Sequence, residues 1–242
     1  MKARYGTLFF ILCGCSGNWM PPSDFAQHDI QAKDYLIRTY QKNTSDQSPV
    51  HIYIEGDGYA FTASGQPSHN PTPRNTFIRD LAASDTAQNV IYIARPCQYN
   101  MSHKCTQSDW TDGRFSQKII DNMTYTIKQI SNDRPITLIG YSGGALISGL
   151  IIQQNSDLKI QHWITIAGVL NHADWTAHFD DKPLLKSQDL KELPSVPQTH
   201  YIAENDKTVP AILSNKWTEG KKQITVKDAT HNKFPNFKLN FN

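Results

Sequence analysis

Ser142 stands in Gly140-Tyr141-Ser142-Gly143-Gly144, a G-x-S-x-G pentapeptide inside the stretch LIGYSGGAL. A serine hydroxyl attacks a carbonyl only when a base removes its proton, so a histidine and an orienting acid must be found. The apolar run ITLIGY leads into the pentapeptide and GALISGLIIQQ leads out of it, which predicts strand, sharp turn and helix. On such a turn the serine is lifted above the sheet edge. The helix N-terminus then offers free N–H groups and the positive end of its dipole beside the hydroxyl. A glycine-rich turn without chemistry is the alternative, and the flanking strand and helix argue against it.

Nine histidines are available. His51, His162 and His200 each open a strand candidate, where packing or edge hydrogen bonding accounts for them. His28, His69 and His103 precede the serine in loop sequence. His231 lies in DATHNKF, just after the last strand candidate, where a loop at the carboxyl edge of a sheet can reach the serine. For the acid, YIAENDKTVP places Asp206 in a loop after a strand, with Glu204 as the runner-up. Asp228 is too near His231 in sequence to be favoured.

Alternating elements must position these residues. KDYLIRTYQK and VHIYIEG read as strands, and a Gly/Pro-rich loop follows them. RNTFIRDLAAS reads as a helix and NVIYIA as a strand. In GRFSQKIIDNMTYTIKQIS, Phe115, Ile119, Met123, Ile127 and Ile130 keep the spacing of one helical face. QHWITIAG, THYIAEND and QITVKDAT supply later strands, with AILSNKWTEG as a helix between the last two. Strand and helix in alternation predict an α/β fold with a mostly parallel central sheet and helices on both faces.

With Ser142, Asp206 and His231 in this chain order, the sequence resembles the α/β-hydrolases over residues 33–242. The Thr208-Val209-Pro210 setting after Asp206 is similar to the acid loop of many such enzymes. More narrowly, RPCQY, the later Cys105 and NHADW with His178 resemble little-characterised exported bacterial members. The resemblance implies an oxyanion hole with one backbone N–H from Gly143. The second comes from the loop after VHIYIEG, where relatives often carry His-Gly and this chain has Glu55-Gly56-Asp57-Gly58. The N–H of Asp57 is the first choice and that of Gly58 the second, provided the Asp57 carboxylate points away. Residues 169–197 interrupt the sheet pattern where a short cap sits in many relatives. Tyr141, Asn171, His172, Trp175 and His178 are its candidate pocket residues, against a packing role for Trp175.

The N-terminus suggests where the chain works. MKARYGTLFFILCGC has a basic start and an apolar run too short to span a bilayer, so residues 1–14 are expected to be a signal peptide. LCGC resembles the lipobox of bacterial lipoproteins. It implies lipidation of Cys15, a tether over 15–32, and a cell-envelope protein on the outer membrane facing the periplasm. Cys97 and Cys105 are then expected to form a disulfide in an oxidising compartment. A metal reading with His103 lacks a second ligand pair at finger-like spacing, and neither metal nor cofactor is expected. Removing Lys2 and Arg4 brings the 24 basic side chains level with the 22 acidic ones, which argues against nucleic acid.

The expected activity is serine hydrolysis of small carboxylic esters through an acyl-enzyme. The alternatives are an amidase, peptidase or acyltransferase on the same triad, or a lipid-anchored binding protein without catalysis.

Overall fold

The computed structural model describes residues 19–241. Eight strands form one sheet: β1 (Ala26–Gln31), β2 (Leu36–Asn43), β3 (Val50–Ile54), β4 (Asn89–Ile93), β5 (Ile136–Tyr141), β6 (Ile160–Ile166), β7 (Gln198–Ala203) and β8 (Lys222–Val226). Their order is β1-β2-β4-β3-β5-β6-β7-β8. β1 and β2 run antiparallel at one edge, and the strands from β4 to β8 are parallel. Five helices accompany them: α1 (Phe77–Ala83), α2 (Gln117–Ser131), α3 (Gly143–Gln154), α4 (His172–His178) and α5 (Ala211–Trp217).

The period of two along each strand sends alternate side chains to two separate cores. Ile52 and Ile54 of β3 join Ile91, Ile93 and Leu138 beneath α2 and α3, with Ile119, Met123, Ile127, Leu146 and Leu150. Tyr53, between them in sequence, faces the other way. It packs with Tyr92, Ile139 and Ile164 against Ile78 and Ala82 of α1 and against the C-terminal Phe234 and Phe237. The five apolar positions expected on one face, from Phe115 to Ile130, are all buried in the first core.

Two expectations about boundaries change. The expected signal peptide and Cys15 lie outside the described residues, and within the tether expected over 15–32 residues 26–31 form a strand. β1 is exposed along nearly its whole length and so carries no apolar alternation. Its hold is backbone pairing to β2 plus the ion pair of Asp29 with Arg38 directly opposite, at 2.5 Å. The segment 169–197 contains α4, capped by Asn171, whose Oδ1 accepts from Asp174 N–H at 2.7 Å. Beyond α4 it folds back: Leu184 and Leu190 are buried in the first core. The segment is part pocket wall and part core.

The cysteine loop after β4 is closed by the expected Cys97–Cys105 disulfide, with Cα atoms 5.8 Å apart.

Candidate active site

β5 delivers Ser142 at its carboxyl end, and α3 begins at the next residue. Ser142 takes φ 52°, ψ −124°, a strained backbone that turns the chain sharply enough to present Oγ at the sheet edge. The flanking glycines are required by contact. A Cβ on Gly140 would lie 2.5 Å from Gly144 O and Ser148 Oγ, and one on Gly144 would lie 2.6 Å from Ile54 O and Glu55 O. The strand, the helix and the neighbouring β3 loop meet closely only because these side chains are absent.

β7 and β8 end beside that elbow. The loop after β7 holds Asp206, whose Oδ1 accepts from the N–H groups of Thr208 and Val209 at 2.7 and 2.8 Å. The loop after β8 holds His231 within a tight turn in which Thr230 and Lys233 exchange backbone hydrogen bonds. Asn205 N–H bonds Ala229 O at 2.8 Å and so ties the two loops together. Across them His231 Nδ1 lies 2.7 Å from Asp206 Oδ2, and His231 Nε2 lies 3.0 Å from Ser142 Oγ. The Asp206 side chain is fully buried and that of His231 is 13% exposed. The acid therefore faces only its hydrogen-bond partners, while the imidazole edge reaches the cavity. Glu204 is exposed and accepts instead from Asp228 N–H at 2.8 Å, remote in role from the imidazole.

A cavity of about 300 Å³ opens over Ser142 and His231. Its walls include Tyr141, Asp57, Arg114 and Trp175. The Tyr141 hydroxyl bonds Asn232 Oδ1 at 2.5 Å and lies 3.0 Å from His231 O, which fixes the histidine loop from below. Trp175 Nε1 donates to Thr208 O at 2.7 Å, so α4 is pinned to the Asp206 loop. His172 lines the cavity, stacked on Phe115 with ring centroids 5.9 Å apart, and burial lowers its pKa. His178 does not belong: it is exposed at the end of α4 against Phe179. At about 3.6 residues per turn Trp175 stays close to the face that His172 presents, whereas His178, six residues on, is turned well away from it.

No family model matches the sequence, and no curated protein does. Solved structures do match. An α/β serine hydrolase without lid from Xanthomonas campestris is similar with a TM-score of 0.57 at 13% identity, over 88% of this chain and 88% of its own. An esterase from Pyrococcus furiosus gives 0.59 at 14% identity, over 89% and 88%. An acylaminoacyl peptidase from Pyrococcus horikoshii gives 0.55 at 13% identity, over 86% of this chain but 38% of that longer one. The fold is that of the α/β-hydrolases.

In this α/β-hydrolase fold the loop after β3 lies against the Ser142 turn: a Cβ on Gly56 would touch Ser142 Cβ at 3.0 Å. Among the described residues, neither Asp57 N–H nor Gly143 N–H donates to a protein acceptor. Gly58 has φ +66°, and a Cβ there would strike Pro71 O, so its glycine is explained by the turn itself. The Asp57 carboxylate does not point away as expected. It leans over Gly143, gripped by Arg95 Nη1 at Oδ1 and by Arg114 Nε at 3.0 Å from Oδ2. Burial penalises this carboxylate, but the charges of Arg114 and Arg95 outweigh it and hold its pKa below the ordinary aspartate value. Two buried arginines thus neutralise this acid beside Gly143.

Arg95, Arg114 and Gln98 were missed by sequence reasoning. Gln98 donates to Gly56 O at 2.9 Å and accepts from Arg95 N–H at 2.9 Å, so RPCQ is the brace of the β3 loop. The disulfide holds that brace in place. Beneath it, burial pushes the Glu55 carboxyl up to about 7, against hydrogen bonds from Gly56 N–H and the Tyr92 hydroxyl.

Proposed function

We propose that the protein is a serine hydrolase that cleaves carboxylic esters of small acyl groups through an acyl-enzyme. The observation that carries this reading is the unbroken hydrogen-bonded chain from Ser142 Oγ through His231 to Asp206. His231 Nε2 takes the serine proton as Oγ attacks the ester carbonyl. The negative charge then forming on the carbonyl oxygen is met by the N–H groups of Gly143 and Asp57, each donor of this kind being worth about 2.7–4 kcal/mol. The alcohol leaves with the proton from His231, and a water molecule repeats the sequence to release the acid. Asp206 holds the tautomer with Nδ1–H throughout and stabilises the imidazolium.

A cavity of about 300 Å³ sits at the small end of ligand pockets and supports short acyl groups over long lipid chains. The likeness to an acylaminoacyl peptidase supports amide cleavage as the second reading, since the triad does not dictate the leaving group. The test is labelling with a fluorophosphonate probe. The adduct is expected on Ser142 and absent in Ser142→Ala; an unlabelled wild-type chain refutes the reading.

We also propose that the chain works in the cell envelope, anchored through Cys15, which lies outside the described residues. The Cys97–Cys105 disulfide supports an oxidising compartment. Palmitate labelling of the intact chain, lost in Cys15→Ser, is the expected result.

A further inference from the structure

The loop after β3 also walls a second cleft, of about 910 Å³, which shares no lining residue with the Ser142 cavity. Arg38, Arg74 and Arg79 meet there with Trp19, Tyr59 and Tyr99, and no aspartate or glutamate lines it. Arg74 stacks on the Tyr59 ring at 3.3 Å and, among the described residues, has neither ion pair nor hydrogen bond. Arg79 lies 5.1 Å from the Trp19 ring and 5.7 Å from that of Tyr99. Its side chain is buried to 6% exposure and gives Nη2 to Asn75 O at 2.8 Å, yet its buried Nε donates to nothing. Arg38 lies 5.6 Å from the Tyr99 ring and is already paired with Asp29.

Guanidinium groups that lie over ring faces keep their N–H edges directed outward, in the fork geometry that matches phosphate oxygens. Arg79 Nε is closed to solvent, so the cleft meets this guanidinium at Nη1, which donates to no protein group among the described residues. A carboxylate ligand would satisfy one fork. Three guanidiniums line the one cleft, and two of them, Arg74 and Arg79, have no ion pair among the described residues. The buried Glu55 acts on Arg79 only through its charge. Such a set suits the several oxygens of a phosphate. The cleft is far larger than one phosphate, and the Trp19 and Tyr99 faces can carry the organic part.

We propose that this cleft binds a phosphate ester, with Arg74 and Arg79 as its anion ligands. The ester has two sources, a soluble metabolite or a phospholipid headgroup. The second source rests on the proposed anchor, since Trp19 follows Cys15 by four residues in sequence.

Both sources are tested on the full chain carrying Cys15→Ser, so that no acyl group contributes. Calorimetry with glycerol 1-phosphate probes the soluble form. Co-sedimentation with phosphatidylcholine vesicles, with and without phosphatidylglycerol, probes the headgroup. Saturable binding is expected in at least one arm, with Arg74→Gln weakening it at least about tenfold and Arg74→Lys falling between, since charged hydrogen bonds are of that strength. Arg79→Gln is expected to match Arg74→Gln, with near-ultraviolet dichroism checking that it folds. The arm that binds identifies the source. No binding in either arm, or wild-type binding by Arg74→Gln in both, overturns the proposal.

Discussion

Two aspartate–histidine pairs sit at opposite edges of the same parallel sheet. At the carboxyl edge His231 Nδ1 lies 2.7 Å from Asp206 Oδ2; at the amino edge His51 Nδ1 lies 2.7 Å from Asp85 Oδ2. The imidazoles are similarly buried, at 13% and 15% side-chain exposure. What differs is the next group along. His231 Nε2 meets Ser142 Oγ at the start of α3, whereas the His51 ring stacks on Phe241 with centroids 4.2 Å apart. Asp85 also accepts from the Tyr53 hydroxyl at 2.7 Å and from Ala87 N–H at 2.9 Å, so its oxygens are used to lock strand ends together. The dyad is therefore not in itself a catalytic device. Under the proposed function it becomes one where parallel strands end, a helix begins, and a strained elbow sets a hydroxyl against the free imidazole nitrogen.

The largest predicted effect tests the carboxyl-edge pair. Ser142→Ala or His231→Ala should each lower turnover of a short-chain aryl ester by up to about 10⁶-fold, and the double variant should be no worse, because the two act as one unit. Next comes the acid. Asp206→Asn leaves serine and donors in place but loses control of the tautomer, which should cost about 10⁴-fold in turnover with a smaller change in KM. Glu204→Gln should leave turnover near wild type, because Glu204 only accepts from Asp228 N–H. A crippled Glu204→Gln beside a normal Asp206→Asn would move the acid to Glu204.

The elbow, the histidine and the acid were legible because each follows a strand whose apolar run announces it. Ser142 has its helix at once, and Asp206 and His231 each stand just past a strand end. β1 was not legible: its side chains face solvent on both sides, so pairing with β2 leaves no periodic trace. The fold-back of 179–197 was equally hidden, since Leu184 and Leu190 are single apolar residues in a polar stretch. Arg95 and Arg114 come from two separate loops and acquire a role only when folding brings them to Asp57. No spacing rule links three such positions. Cys97 and Cys105 did give a warning, as a close pair beside Arg95 and Gln98.

A smaller effect separates the two edges by pH. Glu55 lies under the site-bearing loop, and its carboxyl is raised from 4.5 to about 7 by burial. A carboxyl with a raised native pKa makes the folded state the better proton binder between these values. Stability should therefore be fullest below about 4.5, fall as pH rises toward 7, and stay at the lower level above it, a loss of about 3 kcal/mol at most. Glu55→Gln keeps an oxygen for Gly56 N–H or the Tyr92 hydroxyl but removes the buried charge. Urea denaturation across this range should show a flatter profile and a variant more stable than wild type at alkaline pH. An unchanged slope would mean that Glu55 titrates normally.

The smallest effect belongs to the amino-edge pair and completes the contrast. His51→Ala removes one charged hydrogen bond and the Phe241 stack, but Asp85 keeps the Tyr53 hydroxyl and Ala87 N–H. A loss of about 1–2 kcal/mol is expected at neutral pH, with ester turnover unchanged. The loss should itself depend on pH. Burial works against the Asp85 carboxylate, but the hydrogen bond from His51 and those from Ala87 and Tyr53 outweigh it, so its pKa lies below the ordinary 3.8. A depressed carboxyl pKa contributes stability that is present above the unfolded value and is lost as pH falls through the native one. The gap between His51→Ala and wild type should accordingly be full at neutral pH and narrow in strong acid, where Asp85 protonates in both. His231→Ala should differ in function and not in stability, with turnover abolished beside a comparable stability loss, because Asp206 Oδ2 loses the same kind of bond. If His51→Ala lost turnover on the scale of His231→Ala, the functional distinction between the two edges would fail.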